Sequence, residues 1–239
     1  MKVKIISLYN NLNNSTIEEY SKFKFGYVNV IEYLAKKMAK LILKQIPKNK
    51  KYVLYTTNKF PIKSYFKKNS LLLTEKISKR LNLPLVIGEY KYLYNKNTFY
   101  DHSHKKIHLP KINKKDKLKF KNYTFLMVDD SIWTKVTLNA SLNELKNVAK
   151  NVIFFSVINL KNTRYSETEI NDFCYKKYGL NYIIKLLNSD GYILTTHMLR
   201  VINTFKNQEL KFLFEKINKI NKKLLLKSFK EYTGKELFI

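Results

Sequence analysis

The sequence predicts an α/β protein built on a parallel sheet, and three observations carry that prediction. Phe125-Leu-Met-Val128 is an unbroken apolar run, as expected of a strand covered on both faces. Soon after it, Leu138, Leu142, Leu145 and Val148/Ala149 recur at helical spacing, with Ser141 and Glu144 suited to bond the first turn. Asn151 to Leu160 is then a second buried strand. Strand, helix and strand in this order make a right-handed βαβ unit.

The earlier elements extend the same sheet. Residues 2 to 9 form a short strand on Val3, Ile5 and Ile6, Asn10 to Asn14 a polar turn, and Ser15 with Glu18 a capping box. Tyr20-Ser-Lys-Phe-Lys-Phe-Gly26 is an aromatic and basic segment ahead of a long helix. That helix buries Ile31, Leu34/Ala35, Met38 and Leu41/Ile42 and ends before Pro47. Tyr52-Val-Leu-Tyr55 reads as the first core strand, with Thr56, Thr57, Asn58 and Lys59 following at its carboxyl end. After Pro61 and a basic run through Lys68, Thr74 to Leu81 reads as a helix and Leu85-Val-Ile-Gly88 as the next strand. The sheet therefore has at least four parallel strands.

Between about Asn95 and Lys119 the pattern dissolves, and a gap of that length marks a functional loop. It carries His102, His104 and His108 beside Lys105 and Lys106. Metal ligation, cationic contacts to a phosphate ligand and plain solvation all stay open for these histidines. Residues 161 to 239 read as mostly helical. Tyr182 to Leu187 ends at the Asn188-Ser-Asp-Gly191 turn, and Thr195 to Ile202 enters a helix. Leu210, Leu213/Phe214, Ile217, Ile220 and Leu224 then form one long apolar stripe flanked by lysines. Such a stripe is first of all packing, although a basic amphipathic helix also suits RNA, DNA or a partner protein.

The chain of 239 residues, 45% hydrophobic, is one large domain or a domain with an appendage. A formal charge of +28 points to an anionic partner: nucleic acid, a polyphosphorylated substrate or an acidic protein. Lysine is spread along the whole chain, however, so solvated faces account for much of it. Cys174 is the only cysteine, which excludes a disulfide framework and a cysteine metal site and suits a reducing cytoplasm. No apolar run approaches the roughly 20 residues of a membrane span. The N-terminus lacks the apolar region and cleavage site of a signal peptide.

The chemistry concentrates after the Phe125 strand, in Asp129-Asp130-Ser131-Ile-Trp-Thr134-Lys135-Val136-Thr137. Carboxylates accept hydrogen bonds from hydroxyls, while threonine hydroxyls and amides at a helix start donate to phosphate oxygens. This segment resembles the phosphoribosyl-pyrophosphate signature of type I phosphoribosyltransferases: hydrophobic strand, Asp-Asp, spacer, Thr-Gly-x-Thr, helix. The resemblance implies that Asp129 and Asp130 hold the ribose hydroxyls and Mg²⁺. By the same resemblance, Ser131, Thr134, Lys135, Val136 and Thr137 wrap the 5′-phosphate, and Thr56, Thr57, Asn58 and Lys59 receive the pyrophosphate. Lys105 would act from a loop that closes over the reaction centre. Lys135 departs from the pattern, standing where the family has glycine; it either adds a cation or marks a weakened site.

The Tyr20 to Gly26 segment is similar to one in phosphoribosyltransferase-like proteins of bacterial stress and defence gene clusters, whose helical tail compares with residues 161 to 239. The implied architecture is a phosphoribosyltransferase-type parallel sheet flanked by helices over residues 1–160, including an N-terminal helical segment, with a helical C-terminal cap over 161–239. The implied ligand is phosphoribosyl pyrophosphate or a related sugar phosphate, transferred to an acceptor that no residue specifies. The alternative is a catalytically altered member that binds nucleotide or nucleic acid as part of an anti-phage ribonucleoprotein or a stress complex. A homodimer stays open under both readings.

Overall fold

The computed structural model describes residues 3–58, 64–90, 110–161, 163 and 165–234. Contacts divide the chain into two compact units: residues 1–11, 32–61 and 70–162 form one, and residues 12–31, 62–69 and 163–239 the other.

The first unit holds the sheet. Its strands are β1 (Val3–Tyr9), β2 (Tyr52–Asn58), β3 (Leu85–Glu89), β4 (Thr124–Ile132) and β5 (Asn151–Asn159), in the order β1-β5-β4-β2-β3 and all parallel. The expected class, an α/β parallel sheet flanked by helices, is what the chain adopts. β2 and the first six residues of β4 are buried throughout, and within them Tyr52–Tyr55 and Phe125–Val128 read as unbroken apolar runs. One face of the sheet gathers Val53, Tyr55, Val86, Phe125, Met127, Val152 and Phe154. Leu138 and Leu145 of the helix Val136–Leu145 close this face, together with Ile112 and Phe120. Across α2 (Val28–Gln45) and α3 (Asn69–Leu81), Glu32 pairs with Lys76 and with Arg80 at 2.6 Å.

Several local expectations change. Thr56, Thr57 and Asn58 are not in a loop: they are the last three residues of β2, paired in register with Ile87, Gly88 and Glu89 of β3. Asp129, Asp130 and Ser131 likewise lie on β4, which runs on to Ile132 because β5 continues to pair with it. The end of the long gap after residue 95 is a short helix, α4 (Lys114–Lys119), capped by Asn113, whose Oδ1 accepts from the Asp116 N–H at 2.8 Å. Of Ser141 and Glu144, only Ser141 bonds the first turn of the next helix, α5 (Val136–Leu145). The Ser141 hydroxyl donates back to Thr137 O, and Glu144 turns its buried carboxylate to the Ile112 N–H at 3.0 Å and to Lys117 at 2.6 Å. Burial alone would raise the Glu144 pKa; Lys117 and the Ile112 amide outweigh it and hold the carboxyl below its usual range.

The second unit is helical: α1 (Asn14–Lys24), α6 (Glu167–Asn171), α7 (Phe173–Leu187), α8 (Thr196–Ile202), α9 (Asn207–Lys216) and α10 (Lys219–Thr233). The cap of α1 is Asn13 with Thr16, not Ser15 with Glu18. Glu18 instead meets Lys22, Lys177 and Tyr178, and these partners pull its pKa down to about 2. The Tyr20 to Gly26 segment precedes the long helix α2, as expected, and also forms the end of α1, with Tyr20, Phe23 and Phe25 fully buried. Gly26 closes it at φ +88°, where a Cβ would lie 2.0 Å from the Ile193 carbonyl oxygen. The Ser21 hydroxyl donates to Asn171 O at 2.8 Å and accepts from the Cys174 N–H at 3.0 Å. Those bonds join α1 to the C-terminal helices, whereas the division expected at residue 160 follows chain order. The expected single stripe from Leu210 to Leu224 is broken at Ile217, whose ψ of 148° is extended, and Asn218 then caps α10. Ile220 is therefore 80% exposed, and Leu225, Phe229 and Tyr232 provide the buried side of α10.

Among the described residues, no helix is long and apolar enough to cross a membrane.

Candidate functional site

β2 and β4 are neighbours in the sheet, yet the chain leaves them in opposite directions: β2 is followed by β3 on one side, β4 by β5 on the other. That is a topological switch point, and in open α/β sheets ligands bind outside the carboxyl ends of the strands that form it. The two segments singled out from the sequence end here side by side. Thr56, Thr57 and Asn58 close β2; Asp129 and Asp130 lie near the end of β4. Neither segment announces the other in the sequence.

The acids are unequal. Asp129 is buried, two residues beyond Met127 on the core-facing side, and Asp130 is half-buried. Each carboxylate accepts the amide of the residue after it: Asp130 N–H to Asp129 Oδ1, and Ser131 N–H to Asp130 Oδ1, both at 3.0 Å. These bonds fix side-chain direction. On β2, Thr56, Thr57 and Asn58 are all buried, and the Thr56 hydroxyl has no hydrogen-bond partner among the described residues.

Beyond β4 the chain runs through Trp133 and Thr134, both exposed, to Lys135. Lys135 is the N-cap residue of α5 with φ 57° and ψ 10°, a left-handed conformation that glycine adopts freely and an L-residue only at a cost. Its side chain makes no capping bond, and the first turn of α5 contains no acidic residue. A helix start of this kind suits an anion. Thr137 and Val136 are half-buried in that turn. The loop thus keeps the backbone shape expected of a glycine while carrying a lysine.

Among the described residues, no group of three or more His, Cys, Asp or Glu could hold a metal ion. Mg²⁺ asks less of a protein, commonly one or two carboxylates with phosphate oxygens and water completing the shell, and Asp129 with Asp130 fit that demand. Lys59, Lys105 and the three loop histidines fall outside the described residues. Two residues at this end of the sheet were passed over in the sequence: Trp133, exposed between the acids and Lys135, and Lys161, just past β5. The chain's only tryptophan in a polar loop was a signal that could have been read. The position of Lys161 had no local signal, because it depends on β5 pairing with β4.

No family model matches the chain, and no curated protein matches its sequence. Among solved structures it is similar to a hypoxanthine phosphoribosyltransferase from Staphylococcus aureus, with 13% identity over 57% of this chain and 67% of that one and a TM-score of 0.38. It is similar to a hypothetical protein from Neisseria gonorrhoeae with bound ppGpp, with 16% identity over 59% and 74% and a TM-score of 0.38. A hypoxanthine-guanine phosphoribosyltransferase from Bacillus anthracis aligns with 11% identity over 67% and 79% and a TM-score of 0.35.

Proposed function

We propose that this protein binds phosphoribosyl pyrophosphate with Mg²⁺ and transfers the phosphoribosyl group to an acceptor, releasing pyrophosphate. The observation that carries the reading is the meeting of the Asp129-Asp130 end of β4 with the Thr56–Asn58 end of β2 at the switch point. Asp129 and Asp130 accept the ribose hydroxyls and are the residues that would hold Mg²⁺, whose part is to neutralise pyrophosphate charge. The first turn of α5, with Thr134, Lys135 and Thr137, receives the 5′-phosphate, and Ser131 and Val136 complete the loop. Thr56, Thr57 and Asn58, with Lys59 after them, face the pyrophosphate. In the reaction the acceptor's lone pair forms the new bond to C1. The C1–oxygen bond breaks with its electrons going to pyrophosphate, and the acceptor gives up its proton. The Lys105 loop would serve by covering C1 and excluding water.

Calorimetric titration of phosphoribosyl pyrophosphate with Mg²⁺ tests the reading on wild type and Asp130→Asn. Micromolar binding, about −8 kcal/mol, is expected in the wild type and its loss in the variant. No heat in either protein overturns the assignment.

A second reading has its own support in Lys135 and the +28 charge: the same fold binding nucleotide or nucleic acid without transfer, as part of an anti-phage or stress complex. Under it the protein binds a strand at low salt and weakly at high salt. Absence of binding at low salt removes it.

A further inference from the structure

Ile132 and Asn159 are register partners on the last rung between β4 and β5. The Leu160 N–H donates to Ile132 O at 2.9 Å, and the Lys161 N–H then donates to Asn159 Oδ1 at 3.1 Å. Trp133 and Lys161 therefore leave the same end of the sheet from adjacent strands. Trp133 is 44% exposed, whereas a large indole is ordinarily well covered. Lys135 stands two residues further on, in a backbone conformation strained for any residue but glycine. A side-chain contact with Lys135 is the first cause that holds the Lys161 ammonium below its ordinary pKa, with desolvation and the like charge of Lys135 adding to it.

Each feature is unfavourable in the free protein. An exposed indole forgoes burial, a left-handed lysine is strained, and two ammonium groups side by side repel. One ligand relieves the first and the last together: an aromatic ring to cover the indole, and an anion between the cations. A nucleobase and its phosphate supply both, by the stacking and phosphate contacts that hold single strands on basic surfaces. The +28 charge of the chain favours a polyanion over a single nucleotide.

We propose that Trp133, Lys135 and Lys161 bind one nucleotide of a single-stranded nucleic acid, with the base stacked on Trp133 and a backbone phosphate held between the two ammonium groups. The inference rests on the second reading above and gives it a site; it shares Lys135 with the sugar-phosphate reading, whereas Asp129 and Asp130 take no part in it.

Because Trp133 is the only tryptophan, intrinsic fluorescence reports on this one place. The full chain is titrated with a single-stranded oligonucleotide of roughly twelve nucleotides, within the range of single-strand sites, at about 50 and 200 mM salt. Saturable quenching that weakens steeply with salt is expected. Fluorescence anisotropy of a labelled strand then compares variants. Trp133→Ala should weaken binding about tenfold, one stacked base's worth, and Trp133→Phe should restore most of it. Lys161→Ala should weaken binding and lower the salt slope by about 0.7. All three positions are at least partly exposed, so melting temperatures near wild type will show that the variants fold. Asp130→Asn should bind the strand as wild type does while losing phosphoribosyl pyrophosphate, which separates failure of this inference from failure of the other. Strand binding without quenching overturns the proposal. So does a mononucleotide that quenches with the strand's affinity, because the ligand is then a free nucleotide.

Discussion

The hydroxyl of Tyr55 occupies the space that a side chain at Gly88 would need: a Cβ built on Gly88 lies 2.2 Å from Tyr55 Oη and 2.9 Å from its ring carbon. Tyr55 is on β2 and Gly88 on β3, where Gly88 is the register partner of Thr57. The ring packs edge-on against Phe125 of β4, 6.1 Å between centroids, so one aromatic side chain links three adjacent strands just below the candidate site. Burial pushes the phenol well above its ordinary pKa, and it stays neutral at every physiological pH.

Gly88→Ala is expected to destabilise the protein by about 1–3 kcal/mol, the usual cost of overpacking a filled core. Tyr55→Phe in the same chain removes the nearest clashing atom and should recover part of the loss. Denaturant unfolding of the two single variants and the double variant measures the coupling. Strict additivity would mean that the two side chains do not compete for this space.

At Lys135 the backbone and the side chain make opposite demands. Lys135→Gly relieves a left-handed strain of roughly 1–2 kcal/mol, offset by about 0.5–1 kcal/mol of extra chain entropy in the unfolded state. Its melting temperature should equal or slightly exceed that of wild type, while affinity for phosphate ligands falls. Lys135→Val, with a branched side chain forced into the same conformation, should melt lower than both. Equal melting of the glycine and valine variants would mean that the loop does not hold this shape.

The second unit contains a titratable group with a readable pH effect. His197 is buried against the Phe25 ring at 4.8 Å, with Nε2 3.1 Å from Asp172 Oδ1, and Arg200 reaches the same oxygen at 3.3 Å. Burial is the main reason its pKa falls from 6.5 to about 4; Asp172 opposes the fall, and Lys24 and Arg200 add to it. Between those two values the unfolded chain binds a proton that the folded chain does not, so stability is full above about pH 6.5 and declines as pH drops toward 4. The loss amounts to on the order of 3 kcal/mol at most. Unfolding free energies across this window should flatten in His197→Gln. An unchanged slope would place the acid sensitivity elsewhere.

Much of this protein was legible from its residues in order. The apolar run at Phe125 to Val128 and the helical stripe at Ile31, Leu34, Ala35, Met38 and Ile42 marked buried elements, and those residues are buried. Periodicity records burial directly, because a side chain's environment repeats with the geometry of its own element. The acids and the following threonines could be singled out for the same local reason: their types and spacing are a property of one segment. Boundaries were harder. Thr56 to Asn58 are polar and looked like loop, yet the ladder with β3 carries the strand through them, and a backbone hydrogen bond does not depend on the side chain beside it. Ile217 and Asn218 interrupt a stripe whose spacing alone ran on unbroken.

What only the tertiary structure decided is which distant segments meet. The sequence by itself determined the strand before Asp129, the helix after it, and the excess of positive charge. The pairing of β4 with both β2 and β5 brings the Thr56–Asn58 and Asp129–Asp130 ends together and sets Lys161 beside Lys135. The left-handed backbone of Lys135 also belongs to that folded context, since lysine has no preference for it. Pairing is chosen by the total burial of the whole sheet, a sum over residues far apart in the chain, and no short stretch contains it.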